Sequence, residues 1–180
     1  NKVFKTKGSA AILMNIHNGE ILSLVSLPDF DPNKREKITN IDFINRATKG
    51  VYEFGSVFKT FTLAAAFEEK IIEPDTEFSN LPKFLTCAGF SIREYDNNIP
   101  TNLTAEQILV RSGNIGSVRI AQKVGPEKFK SFLEKVGLLS DIDFDIEEVA
   151  TKKNYDFGKC RLATASFGHG IATTILQLAK

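Results

Sequence analysis

Residues 57–70 are apolar on nearly every helical face and rich in strong helix formers. A helix of that composition reads as one buried in a domain core. The 180 residues, 42% hydrophobic and 25% charged, suffice for one substantial core. The preceding Tyr52-Glu53-Phe54-Gly55 reads as a turn, in which Gly55 is free of the Cβ that restricts tight approaches. Ser56 therefore falls at the N-terminus of a buried helix, with Lys59 one turn further in.

Ser56-Val57-Phe58-Lys59 is the one place in the chain where a lysine follows a serine by three residues. Positions i and i+3 share a helical face, so Lys59 can reach back to the Ser56 hydroxyl. Desolvation disfavours an ammonium and lowers a buried lysine's pKa, which lets Lys59 accept the serine proton. The helix N-terminus adds backbone N–H groups and a positive dipole end, suited to negative charge on an attacked carbonyl oxygen. Such a tetrad arises by chance roughly once in every one or two chains of this length. A snorkelling lysine and a capping serine would explain it equally well in isolation.

A second element raises the functional reading. Thr104-Ala105-Glu106-Gln107 fits a capping box ahead of Ile108-Leu109-Val110, and Arg111-Ser112-Gly113-Asn114 follows that helix. Ser112 and Asn114 alternate across a short turn, so both side chains can face one way, as proton relay and amide donor; the bland alternative is an ordinary helix-ending turn. In this order the two elements resemble the active site of the penicillin-binding protein and serine β-lactamase superfamily.

The resemblance extends along most of the chain. Lys7-Gly8-Ser9-Ala10-Ala11-Ile12-Leu13-Met14-Asn15 and Asn18-Gly19-Glu20-Ile21-Leu22 are similar to the opening hairpin of class B penicillin-binding transpeptidases. Asn45-Arg46-Ala47-Thr48 and Gly50-Val51-Tyr52-Glu53 resemble their approach to the nucleophile, and Ser166-Phe167-Gly168-His169-Gly170-Ile171 with Gln177-Leu178-Ala179 a later landmark. The tyrosine-containing approach and that landmark lean to the cell-division branch. Phe54 and Ile175 stand where members often carry proline.

The resemblance implies an α+β, β-lactamase-like fold: an antiparallel sheet with helices on both faces plus a helical subdomain. Residues 1–27 would be the N-terminal hairpin of the sheet and 28–180 the nucleophile helix with the mostly helical part. The family's third motif, Lys-Thr/Ser-Gly on a late strand, occurs nowhere in the 180 residues. The chain is therefore expected to be a partial transpeptidase domain lacking its C-terminal strands, and inactive alone.

The family further implies a peptidoglycan D,D-transpeptidase with Ser56 as nucleophile, Lys59 as base, Ser112 as relay and Asn114 binding substrate. Expected partners are D-Ala-D-Ala stem peptides, β-lactam antibiotics and other cell-wall or division proteins. The expected location is the cytoplasmic membrane, with the catalytic domain facing outward and the anchor outside this chain. A serine β-lactamase shares the first motifs, and Glu148 lies in a plausible region for its water-activating glutamate, but the residues after it do not resemble that loop. A β-lactam-sensing receptor domain is a further alternative.

Other classes are excluded more simply. A formal net charge of +1 and no basic stripe interleaved with aromatics argue against nucleic-acid binding. No run of about 18 apolar residues is present. Cys87 and Cys160 lack zinc-site spacing and His17 and His169 are not grouped with them, so neither metal nor cofactor is expected. The cysteines read equally as a disulfide or as two separate thiols. His17 reads as turn surface and His169 as structural, beside a site whose base is a lysine.

The remaining expectations concern local structure. Asn18-Gly19 suits a type I′ hairpin turn between two apolar runs over residues 8–27, strands that need cover on both faces. A linker over residues 28–45 precedes the nucleophile segment. Residues 115–124 read as a helix ended by Gly125, and Pro126 opens another running to Gly137. The alternation Asp141-Ile142-Asp143-Phe144-Asp145-Ile146 reads as a short strand or edge segment with solvated carboxylates.

Overall fold

The computed structural model describes residues 5–31, 33–34, 44–151 and 154–180. Most of the linker expected over residues 28–45 lies outside the described residues. In chain order the elements are β1 (Ser9–Met14), β2 (Ile21–Leu27), β3 (Val51–Tyr52), a 3₁₀ turn (Gly55–Val57), α1 (Phe58–Glu68), β4 (Glu77–Phe78), β5 (Phe84–Cys87) and β6 (Phe90–Arg93). There follow β7 (Leu103–Thr104), α2 (Ala105–Val110), α3 (Asn114–Val124), α4 (Pro126–Lys135), α5 (Lys159–Ala165), β8 (Thr173–Thr174) and α6 (Ile175–Ala179). They form two compact units.

The first unit holds the N-terminal hairpin, residues 136–153 and the C-terminal α6. β1 and β2 pair antiparallel with Ile12 opposite Leu24. The turn between them differs from the expected two-residue type. Asn15 N–H donates to the Glu20 carbonyl and Gly19 N–H to the Asn15 carbonyl, each at 2.8 Å, and Gly19 has φ +74° while Asn18 does not enter that region. The Asn15 and Asn18 side chains accept from the His17 and Glu20 amides, so local asparagine bonds stabilise a wider loop. Ile12 and Leu24 are half-buried, α6 packs against β1, and Leu13 and Val25 remain exposed among the described residues.

β3 pairs with β8, and Thr174 then caps α6 through a full capping box with Gln177. Ile175 sits at the first helical position. Proline is favoured there because its missing N–H costs nothing, but no feature of that position excludes isoleucine. Residues 141–146 form no strand. Their alternation puts Asp141, Asp143 and Asp145 in solvent with Ile142 and Phe144 half-buried, which an irregular segment satisfies without a strand partner. Glu148 is occupied structurally: its Oε1 accepts the Asn45 amide at 2.8 Å.

The second unit packs α1 through α5 around Phe58, Leu63, Ile108, Ile115, Val118, Ile120, Phe129 and Leu133, all nearly or fully buried. α1 ends two residues before Lys70, because Lys70 turns to φ +55° and Ile71 N–H reaches back to the Ala66 carbonyl. Glu68 and Glu69 at that end oppose the helix dipole and are answered by Lys135 and Lys128 of α4. Thr104 forms its capping box with Gln107 and Gly125 terminates α3 at φ +82°, as the sequence indicates, whereas α4 ends at Lys135, two residues short of Gly137.

Cys87 and Cys160 are joined in a disulfide with Cα atoms 5.4 Å apart, which settles the alternative left open by sequence. The bridge spans 73 residues and ties the end of β5 to the start of α5. Cross-linking over a loop of that length typically stabilises by about 2–4 kcal/mol, chiefly by restricting the unfolded chain. Reduction should lower the melting temperature in scanning calorimetry, and the C87S/C160S variant should melt like the reduced protein.

Candidate active site

Ser56 sits on the 3₁₀ turn that leads into α1, and the turn depends on Gly55. Its φ of +56° is open to glycine and unfavourable for other residues. α1 then carries Lys59 inward, where it is 1% exposed. Lys59 Nζ lies 3.2 Å from Ser56 Oγ, 2.8 Å from Ser112 Oγ and 2.5 Å from the Ser112 carbonyl oxygen. Serine, lysine and serine, 53 residues apart at their furthest from Lys59, thus meet at one nitrogen.

Those three oxygens match the three N–H donors of an ammonium. They equally suit the neutral amine. Its two N–H groups can go to the Ser112 carbonyl, which can only accept, and to Ser112 Oγ. The lone pair is then left for the Ser56 O–H. Burial pushes Lys59 down from 10.5 to about 8, with the Glu94 carboxylate acting in the opposite direction. At pH 7 about a tenth of the lysines are then neutral.

Ser112 reaches Lys59 with both carbonyl and hydroxyl because its backbone is left-handed, φ +54°, a conformation rare for serine. Glu94, just past β6, accepts the amides of Asn114 (2.5 Å) and Ile115 (3.0 Å), the first residues of α3. Asn114 lines the same cleft as Ser56 and Ser112, but its Nδ2 donates to the Arg93 carbonyl at 2.8 Å. One of its two amide N–H groups is thereby engaged, which leaves the other N–H and the side-chain oxygen for substrate.

The opposite wall is the turn after α5. Thr62 Oγ1 of α1 donates to the buried Ser166 carbonyl at 2.8 Å, fixing that turn to α1. A Cβ on Gly168 would run into the Gly55 backbone, so this contact requires glycine at position 168. His169 Nδ1 stands 3.2 Å from Glu53 Oε2, and Glu53 Oε1 accepts the Gly170 amide at 3.0 Å. Phe167, Tyr95 and this pair complete a cleft of about 600 Å³ around Ser56. Tyr95 and Glu94 were not singled out from sequence; they follow a short hairpin with no periodic signal to mark them.

The model of the penicillin binding protein transpeptidase domain matches residues 9–180. The chain belongs to that family. Curated relatives of this transpeptidase domain include the probable peptidoglycan D,D-transpeptidase FtsI of Caulobacter vibrioides, 31% identical over 98% of this chain and 30% of its own length. The probable peptidoglycan D,D-transpeptidase PenA of Neisseria flavescens is 29% identical over 98% of this chain and 44% of its own length. Among solved structures, the transpeptidase domain of Burkholderia pseudomallei penicillin-binding protein 3 superposes with a TM-score of 0.80 at 26% identity, over 96% of this chain and 48% of that one. The chain thus spans less than half the length of these relatives, and the fold and the class B, division-branch resemblance read from sequence stand.

Two outcomes follow from this geometry. Gly168→Ala should lower the melting temperature by several degrees, since both its φ of +79° and the Gly55 contact resist a methyl. With Lys59 as the base proposed below, the rate at which Ser56 is acylated should rise about tenfold per pH unit below Lys59's pKa of about 8 and level off above it, because only the neutral amine can accept a proton. A flat profile across that range in stopped-flow labelling would exclude Lys59 as the base.

Proposed function

We propose that the protein carrying this chain is a peptidoglycan D,D-transpeptidase acting through a Ser56 acyl-enzyme, in septal cell-wall synthesis. The observation that carries the reading is the meeting of Ser56, Lys59 and Ser112 at one buried nitrogen. Lys59 takes the Ser56 proton as Oγ attacks the penultimate carbonyl of a D-Ala-D-Ala stem peptide. The Ser56 amide lies on the 3₁₀ turn leading into α1, near the positive end of that helix, where developing oxyanion charge would be stabilised.

Collapse of the tetrahedral adduct breaks the peptide bond. Ser112 Oγ, hydrogen-bonded to Lys59, passes the proton to the leaving D-alanine amine. Asn114, with one N–H held by the Arg93 carbonyl, holds the substrate amide through its side-chain oxygen and its second N–H. An amine from a neighbouring stem peptide then displaces Ser56 and forms the cross-link. β-Lactams mimic the donor and acylate the same serine. No cofactor takes part in this scheme.

Hydrolysis as the main outcome is disfavoured, because the residues after Glu148, Val149-Ala150-Thr151-Lys152, do not resemble the loop that carries the water-activating glutamate of β-lactamases. Peptidoglycan stem peptides and β-lactams are the proposed ligands, with other cell-wall synthesis or division proteins as partners and an outward-facing position at the cytoplasmic membrane. Among the described residues no helix is long and apolar enough to cross a membrane. Residues 1–180 are proposed as part of one transpeptidase domain.

Fluorescent-penicillin labelling followed by peptide mapping tests the assignment. The adduct should map to Ser56 and disappear in Ser56→Ala. Lys59→Arg keeps the charge but cannot accept a proton at neutral pH, so labelling should fall by roughly two to four orders of magnitude in a folded protein. Labelling that persists in Ser56→Ala, or an adduct on Ser112, would overturn the reading.

A further inference from the structure

We propose, resting on the roles of Ser56 and Lys59 above, that Glu94 is the positioning residue of the acylation step. It holds Ser112 left-handed against Lys59 and presents its carboxylate charge to that base. Three observations converge on it. The first is a vacancy in the capping of α3. Gly113 occupies the N-cap and has no side chain to accept the first amides of the helix. Glu94 supplies the acceptors from outside, one carboxylate oxygen to Asn114 N–H and the other to Ile115 N–H. A carboxylate there also complements the positive end of the helix.

The second is the conformation this imposes one residue earlier. Ser112 N–H donates to the Leu109 carbonyl and Gly113 N–H to the Ile108 carbonyl, so α2 fixes the turn from its own side. Glu94 and the Arg93 carbonyl fix it from the other, through the amides of Asn114 and Ile115 and the Asn114 side chain. Clamped on both sides, Ser112 stays at φ +54° and turns two oxygens toward Lys59. Without the clamp a serine would leave that region for a commoner one, and the relay hydroxyl would leave the base.

The third is electrostatic. Glu94 is the carboxylate whose charge acts on Lys59, opposing the effect of burial. The other charged groups around the site are engaged elsewhere or exposed. Glu53 and His169 pair with each other, and Arg93 and Arg111 lie at the surface. Glu94 therefore keeps the Lys59 ammonium more stable than burial alone would, and its removal should make Lys59 a base at lower pH.

These two actions separate experimentally. Second-order acylation by a fluorescent penicillin would be followed between about pH 6 and pH 10 for wild type, Glu94→Gln and Glu94→Asp in the protein carrying this chain, with folding checked by circular dichroism. Glu94→Gln keeps one acceptor and loses the charge. Its plateau should fall roughly 10- to 100-fold, as misplacement of a catalytic group does, and its acid limb should move to lower pH. Glu94→Asp keeps the charge on a shorter arm, so its plateau should fall while its limb stays near that of wild type.

A lowered plateau with an unmoved limb in Glu94→Gln is what a purely structural cap would give, and it would overturn the proposal. A wild-type plateau in either variant would overturn it too. Should Glu94→Gln fail to fold, the Glu94→Asp plateau still decides the positioning claim. Wild-type protein that is not acylated at Ser56 would instead remove the acyl-transfer reading itself, an outcome visible before either variant is measured.

Discussion

A buried amine surrounded by three oxygens is the feature on which the site is built. Lys59 is 1% exposed, yet none of its donors is wasted. Burying an isolated ammonium would be prohibitive, and lysine instead shifts its pKa and takes what hydrogen bonds it finds. The acceptors here are chosen by position as well as number. One belongs to Ser56, the proposed nucleophile, one to the Ser112 hydroxyl, the proposed relay, and one to a backbone carbonyl that cannot compete for the proton. The same bonds that make burial tolerable thus connect Lys59 to both serines.

Each neighbouring element can be understood as supplying one edge of that arrangement. Gly55 lets the chain turn sharply enough to place Ser56 at the head of α1, and Gly168 lets the turn after α5 press against it. Thr62, a turn beyond Lys59 on α1, anchors the turn through the Ser166 carbonyl. On the far side the β5–β6 hairpin ends in Arg93 and Glu94, which grip the start of α3, while its other strand is tied to α5 by the disulfide. The cleft is therefore bounded by a helix, a strand end and a glycine-rich turn whose mutual positions are covalently and sterically restricted.

How much of this was legible in the sequence follows the range of the forces involved. Ser56 with Lys59, the Thr104 capping box and the Gly125 stop are local patterns, governed by helical periodicity and backbone dihedrals, and they read directly. The Ser112 turn was legible as a motif, but its left-handed backbone and the diversion of the Asn114 amide to Arg93 were not, because both depend on residues some twenty positions away. Glu94 had no signal at all: a lone glutamate after a four-residue strand looks like any surface charge. Local chemistry also misled in two places. Asn18-Gly19 favours a tight turn, but the asparagine side chains at 15 and 18 stabilise a wider one. The alternation over 141–146 mimics a strand, although half-burial of Ile142 and Phe144 needs no ladder.

The site also leaves its mark on the stability of the fold. Lys59 titrates at about 8 in the native state against 10.5 when unperturbed, so between those values the unfolded chain binds a proton that the native chain has lost. Stability attributable to this group therefore rises with pH across that window and is constant below it, where both states are protonated and the native one bears the cost of the buried charge. At neutral pH the protein thus carries a penalty that replacing Lys59 by a neutral side chain of similar size would remove, at the expense of the base. Glu94 reduces that penalty while leaving less of the lysine neutral at a given pH. The value near 8 is a compromise between a group buried enough to act as a base and a fold that can still hold it, and local rules of foldability give way at such a point because the chemistry requires it.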